Sequence, residues 1–240
     1  MTHATLLVVA LLITYCPHHA EDKNKTVVAV HHVGEMRKVM REGNLAASID
    51  LSSLAKKKHL YALGPLEGLR GEVTIWDSVP SISRVESAKV VTSDSFQNKA
   101  CFLVYTFVVK WKEVPIPGDI TDGEKFEKWL EKTASAQGIN VNRPFPFLIK
   151  DAPRKLAFHI VNKTDDSPHT PANHEAVKVK FTLENTRIKL LGFYSDSHQG
   201  IFTHHDSNVH MHMITSDGKQ SGHVESILFS GKAVLLLPTE

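Results

Sequence analysis

A β-rich α+β fold is what this sequence predicts, from three observations. Short runs of β-branched and aromatic residues recur along the chain, one segment alone carries a long helical period, and no internal repeat or low-complexity stretch interrupts them. Of the 240 residues, 42% are hydrophobic, enough for a sizeable core in one large domain or two small ones. The formal net charge is +2 with no basic block, so composition does not point to nucleic acid.

The first element is the apolar run Leu6–Tyr15. It is too short to span a bilayer and suits the core of a signal peptide cleaved after Ala20. The expected organisation is therefore a signal peptide over 1–20, an N-terminal β-rich lobe with helices over 21–140, and a C-terminal β lobe over 141–240, in a secreted or exported protein. Cleavage would remove Cys16 and leave Cys101, so no internal disulfide is expected. Asn24-Lys-Thr and Asn162-Lys-Thr are glycosylation sequons, relevant only in a eukaryotic host.

Thr26–His32 is β-branched and strand-like. Gly34–Arg41 follows as a short helix, with Met36, Val39 and Met40 on one stripe and Gly43 ending it. Asp50 is placed to cap a second short helix with Leu51, Leu54 and Ala55 inward. Leu60–Arg84 reads as strand, turn, strand, in which Glu72, Thr74 and Trp76 share a face; a surface charge on an edge strand is the bland account of Glu72. Cys101–Val114 reads as one long apolar strand, central to a sheet. In Thr121–Gln137, Thr121 and Glu124 form a capping-box pattern, and Phe126, Trp129, Leu130 and Ala134 a buried stripe. Gly138–Pro146 is the expected inter-lobe connection. Strands are then expected at Phe147–Lys150, Leu156–Val161, Ala176–Leu183, Arg187–Phe193 and Ala233–Leu237, with a polar loop at Asp165–Asn173.

The stretch from Thr203 to Val224 carries the chemistry. His210 and His212 are two apart in a strand-like run, so their imidazoles share a face, while Val209, Met211 and Met213 line the other. Asp217-Gly218 supplies the turn of a hairpin, and the returning strand brings His223 near the pair. Three neutral imidazoles on one hairpin are the protein half of a catalytic zinc site with an open position. The competing reading is a histidine-rich polar strand without metal.

The succession G-P-L-E-G-L-R-G-E-V-T-I-W-D-S-V-P, then L-L-G-F-Y and G-I-F, then H-M-H, S-D-G-K and S-G-H-V, resembles the alpha-acetolactate decarboxylases from about Val28 to Pro238. The resemblance implies a two-lobed β-rich homodimer that binds Zn2+ through His210, His212 and His223, with Glu72 beside the metal. It implies decarboxylation of the small keto acid 2-acetolactate to acetoin through a metal-stabilised enediolate, Glu72 serving as proton relay. It implies neither nucleic acid nor a membrane span.

Two departures stand out. The family's arginine in the strand after the linker has no counterpart; His159 lies closest to its place, with Lys150 and Arg154 as substitutes. The family's glutamate in a C-terminal tail is expected to be missing, because the chain stops at Glu240. Thr203-His204-His205-Asp206 adds polar groups just before the hairpin, and one of the two histidines is expected to face the pocket. Glu72, His159 and His205 are the catalytic candidates. Two alternatives stay open: a zinc lyase or isomerase for another 2-hydroxy-3-keto acid, and a non-catalytic metal-binding homologue whose fourth metal position is blocked by His204 or His205.

Overall fold

The computed structural model describes Met1 and residues 28–239. The signal-peptide segment, Cys16, the Asn24 sequon and the start of the first expected strand lie outside the described residues. The order is β1 (Val30–Val33), α1 (Met36–Glu42), β2 (Ile49–Asp50), β3 (Leu60–Pro65), β4 (Glu72–Trp76), β5 (Val79–Glu86), β6 (Lys89–Ser93), β7 (Lys99–Ala100), β8 (Leu103–Phe107), β9 (Trp111–Pro115) and α2 (Gly123–Ala136). Then come β10 (Phe145–Asp151), β11 (Lys155–Val161), β12 (Lys178–Leu183), β13 (Ile188–Tyr194), β14 (Val209–Thr215), β15 (Ser221–Leu228) and β16 (Val234–Pro238). The β-rich α+β expectation holds. No helix among the described residues is long and apolar enough to cross a membrane.

Two antiparallel sheets carry the fold. One runs β1-β8-β3-β4-β5-β6, the other β12-β11-β15-β14-β13-β10-β16-β9. α1 behaves as its stripe requires: Met36 and Val39 are buried and Gly43 closes it at φ 64°, the left-handed region glycine enters freely. The second short helix is a single 3₁₀ turn, Leu51–Leu54, with Asp50 accepting from the Ser52 N–H; Leu51 and Leu54 are buried but Ala55 is exposed. The cap of α2 is Asp122 rather than Thr121. The Asp122 carboxylate accepts from the Lys125 N–H at 3.0 Å, which puts a lysine where a capping box needs Glu124.

Two strand expectations are corrected. Leu60–Arg84 holds three strands, because Asp77 and Ser78 take φ values of 47° and 66° and reverse the chain in a tight hairpin. Cys101–Val114 is not one strand. Val108 donates its N–H to the His59 carbonyl, Val109 turns out to solvent, and the chain leaves the first sheet for the edge of the second, where β9 pairs with β16. The break coincides with a change of character, since Lys110, Lys112 and Glu113 end the apolar run and β9 is far less buried than β8.

α2 covers one face of the eight-stranded sheet. Phe126, Leu130 and Ala134 pack with Phe147, Phe158, Met211 and Met213, so the apolar face of β14 is spent on this core. The polar face of β14 turns the other way, toward β4 of the first sheet.

Candidate active site

Strand pairing assembles the histidines. His212 stands directly opposite His223, and His223 opposite His159, giving a row of three imidazoles across β14, β15 and β11. His210 is two residues from His212 on the same face, and its Nε2 lies 3.0 Å from His223 Nδ1. Gly222 lets β15 lie close to β11 here: a Cβ at this position would sit 2.6 Å from the His159 carbonyl oxygen. His210, His212 and His223 are buried, and one ring nitrogen from each falls within 4.8 Å of the other two.

The tautomers follow from the outer partners. His210 Nδ1 is 2.8 Å from the Phe202 carbonyl oxygen, which can only accept, so this nitrogen carries the proton and Nε2 presents its lone pair. His212 Nδ1 is 3.1 Å from Thr74 Oγ1, and its Nε2 is buried with no hydrogen-bond partner. An orphaned inward nitrogen beside two others is the signature of a cation site. Burial holds the three rings neutral: His212 is pushed down to about 3, and His210 and His223 fall well below the ordinary histidine value. Neutral nitrogens are what a divalent metal requires.

Glu72 enters from the other sheet. It is not on an edge strand; β4 lies between β3 and β5, and the carboxyl is 3% exposed. Its Oε2 is 3.8 Å from His212 Nε2, and its Oε1 accepts from the Val161 N–H at 3.3 Å. Burial pushes this carboxyl up to about 8, against the opposing pull of the Val161 N–H. His159 Nε2 is 4.0 Å from Glu72 Oε1, and His159 Nδ1 is 2.6 Å from Glu225 Oε1. Burial lowers the His159 pKa below its ordinary value even with Glu225 alongside. Glu225 is the extra residue of a bulge in β15, since Ala157 pairs with Ser226 but Phe158 with Val224. The bulge swings the carboxylate onto His159.

The site opens into a cavity of about 1440 Å³ whose wall includes Glu72, His159, His204, His210, His223 and Glu225. That is ample for a small molecule.

Of the candidate residues, the structure brings Glu72, His159, His210, His212 and His223 together. His205 lines the same cavity but stays apart from the three histidines, its side chain 79% exposed and 3.9 Å from the Asp206 carboxylate. His204 is the histidine that turns inward, its Nε2 lying 3.1 Å from His223 Nε2. The two occupy an irregular turn with no strand alternation, so sequence spacing cannot tell them apart. Lys150 pairs with Glu113 and Arg154 with the Phe229 carbonyl, so neither replaces the arginine in the pocket. Sequence reasoning missed Glu225, Lys178 and the hydrogen-bonding part of Thr74. Thr74 was within reach, being two residues from Glu72 on one strand face. Lys178, 3.2 Å from Glu225 and on the cavity wall, had no such signal.

Comparison with known proteins identifies the family and the fold. The family model described as alpha-acetolactate decarboxylase matches residues 30–236. The structure of alpha-acetolactate decarboxylase from Bacillus subtilis strain 168 superposes with a TM-score of 0.70 at 19% identity, over 88% of this chain and 86% of that one. The enzyme from Bacillus subtilis subspecies spizizenii gives 0.69 at 19% identity, over 88% and 86%. A Staphylococcus aureus protein of unknown function, similar to alpha-acetolactate decarboxylase, gives 0.70 at 13% identity, over 87% and 84%. No curated protein matches the sequence.

Proposed function

The chain belongs to the alpha-acetolactate decarboxylase family of carboxy-lyases, and on that premise we propose that it converts 2-acetolactate to acetoin and carbon dioxide with a zinc ion held by His210, His212 and His223. The observation that carries the reading is the buried Glu72 carboxyl, 3.8 Å from the unpartnered nitrogen of His212 at the wall of a cavity. A bound zinc ion supplies Lewis-acid stabilisation for the electron pair left when the carboxylate departs. The chain's residues supply the proton. Breaking the carbon–carbon bond releases carbon dioxide and sends its electrons into the neighbouring carbonyl; the product carbon then needs one proton. Glu72, whose carboxyl burial favours in the protonated form against the pull of the metal's charge, is the group that would give it. His159, between Glu72 and Glu225, is the path by which that proton is replaced from the cavity side.

The test is one preparation assayed for zinc content and for acetoin release from 2-acetolactate. Stoichiometric zinc with turnover, both lost to a chelator, is the expected result. Zinc-loaded protein that leaves acetolactate intact counts against the substrate; protein that takes up no zinc counts against the centre itself. One observation favours a second reading, a related 2-hydroxy-3-keto acid as substrate. The family's arginine has no counterpart, and His159, which lies closest to its place, is already engaged with Glu225, so the carboxylate of the substrate would meet a different wall. A screen of hydroxy-keto acids by mass spectrometry separates the two. The proposal also includes export after cleavage of residues 1–20 and a homodimer, checked by N-terminal sequencing of secreted protein and by light scattering.

A further inference from the structure

The three inward histidines are held by three different outer partners, and one of these is the His204 of the irregular turn. We infer that His204 is a positioning residue that fixes which nitrogen of His223 faces the metal, and that it is not a fourth ligand. The inference rests on the zinc-centre reading above.

The geometry leads there by elimination. His210 Nε2 presents a lone pair, because its Nδ1 proton is committed to the Phe202 carbonyl. His223 Nδ1 lies 3.0 Å from that lone pair, so either a proton or a cation must stand between them. With no metal, the proton is on His223 Nδ1, and His223 Nε2 accepts from His204 Nε2–H across 3.1 Å. With a metal, His223 Nδ1 must give up its proton and carry it on Nε2 instead. His204 Nε2 then becomes the acceptor, and its own proton moves to Nδ1. Both rings stay neutral and the net proton count does not change, so His204 satisfies His223 in both states by switching tautomer. A carbonyl or a carboxylate could serve only one of them, since neither can donate.

His204 does not fit as a fourth ligand. No choice of its ring nitrogens adds it to the set in which His210, His212 and His223 converge within 4.8 Å. It reaches His223 through the nitrogen that points away from His210. The open metal position is thereby left to the cavity, which both His204 and His223 line.

The experiment measures zinc affinity by competition with a chromophoric chelator for the wild type, His204→Ala and His204→Gln. The ligand count comes from X-ray absorption, and the His223 tautomer from nitrogen-15 NMR of the zinc-loaded protein. His204→Ala is expected to bind zinc about 10–100-fold more weakly with three imidazoles still on the metal. The slowly exchanging His223 Nε2–H signal of the wild type should vanish in it. His204→Gln, whose amide oxygen accepts the same hydrogen bond, should restore most of the affinity and the signal; this rescue separates lost positioning from a misfolded variant. Equal affinity in wild type and His204→Ala overturns the inference and leaves the zinc centre standing. Four imidazoles in the wild type and three in His204→Ala overturn it in favour of direct ligation. A wild type that takes up no zinc overturns both readings.

Discussion

Thr74 Oγ1 lies 3.1 Å from His212 Nδ1, a hydrogen bond that joins the two sheets at the site. Thr74 belongs to β4 of the six-stranded sheet and His212 to β14 of the eight-stranded one. Both groups are buried, so the contact helps to fix the ring and leaves His212 Nε2 without a hydrogen-bond partner, 3.8 Å from Glu72 Oε2.

Replacing Thr74 should therefore be felt at the metal. Thr74→Val keeps the shape and removes the hydroxyl, and zinc affinity is expected to fall about 10-fold or more. Thr74→Ser should keep it. Chelator competition on the three proteins measures this; equal affinities would mean that the hydroxyl does not orient the ring.

Glu72→Gln should separate metal binding from turnover. The amide oxygen can still accept from the Val161 N–H, so zinc content should be unchanged, while kcat falls about 100-fold or more for want of the proton donor. In the metal-free protein the same change alters the response to pH. The wild-type carboxyl rises from 4.5 to about 8 on folding. Its folded state is thus fully favoured below pH 4.5 and loses stability as pH rises through about 8. Glu72→Gln should gain on the wild type over that range in urea titrations, and parallel curves would contradict the buried, protonated acid.

Acid should act on the histidines in the opposite sense. His212 is lowered from 6.5 to about 3 by burial, and His210 and His223 move the same way. Their contribution is complete above pH 6.5. It is lost as pH falls toward 3, because the unfolded chain takes up protons that the folded rings refuse. Metal-free protein should show falling urea midpoints across this window, and zinc should leave the protein in the same range. In Glu72→Gln, which lacks the opposing carboxyl, a midpoint flat from pH 7 to 4 would mean that the rings are not buried.

Gly222 is a backbone feature whose loss should be felt at the site. A methyl group there meets the His159 carbonyl oxygen at 2.6 Å and the Phe158 ring at 2.8 Å, so β15 must shift away from β11. Gly222→Ala is expected to lose about 1–3 kcal/mol in denaturant titrations. It should also weaken zinc binding by displacing His223. A variant as stable as the wild type would mean that the two strands can part without strain.

The reach of the sequence can be judged residue by residue. The alternation His210-x-His212 and the Asp217-Gly218 turn are local features. Strand parity and a positive φ at Gly218, 72° in the structure, are enough to place three imidazoles on one face. The stripe of α2 and the apolar face of β14 were legible for the same reason, since periodicity reports which side of an element is buried. What the sequence by itself determined was therefore the β-rich class, the hairpin and the side of it that carries the histidines.

Tertiary structure decided the rest, because it depends on contacts between residues distant in sequence. Glu72 reads locally as a surface charge; it becomes a buried acid because β4 pairs on both sides and faces the hairpin of the other sheet. The break at Val108–Lys110 is set by which sheet each half joins; Lys110, Lys112 and Glu113 mark in the sequence where the apolar run ends, but not which strand the second half pairs with. His204 rather than His205 turns inward because an irregular turn has no period, so only the fold around it selects the ring that meets His223.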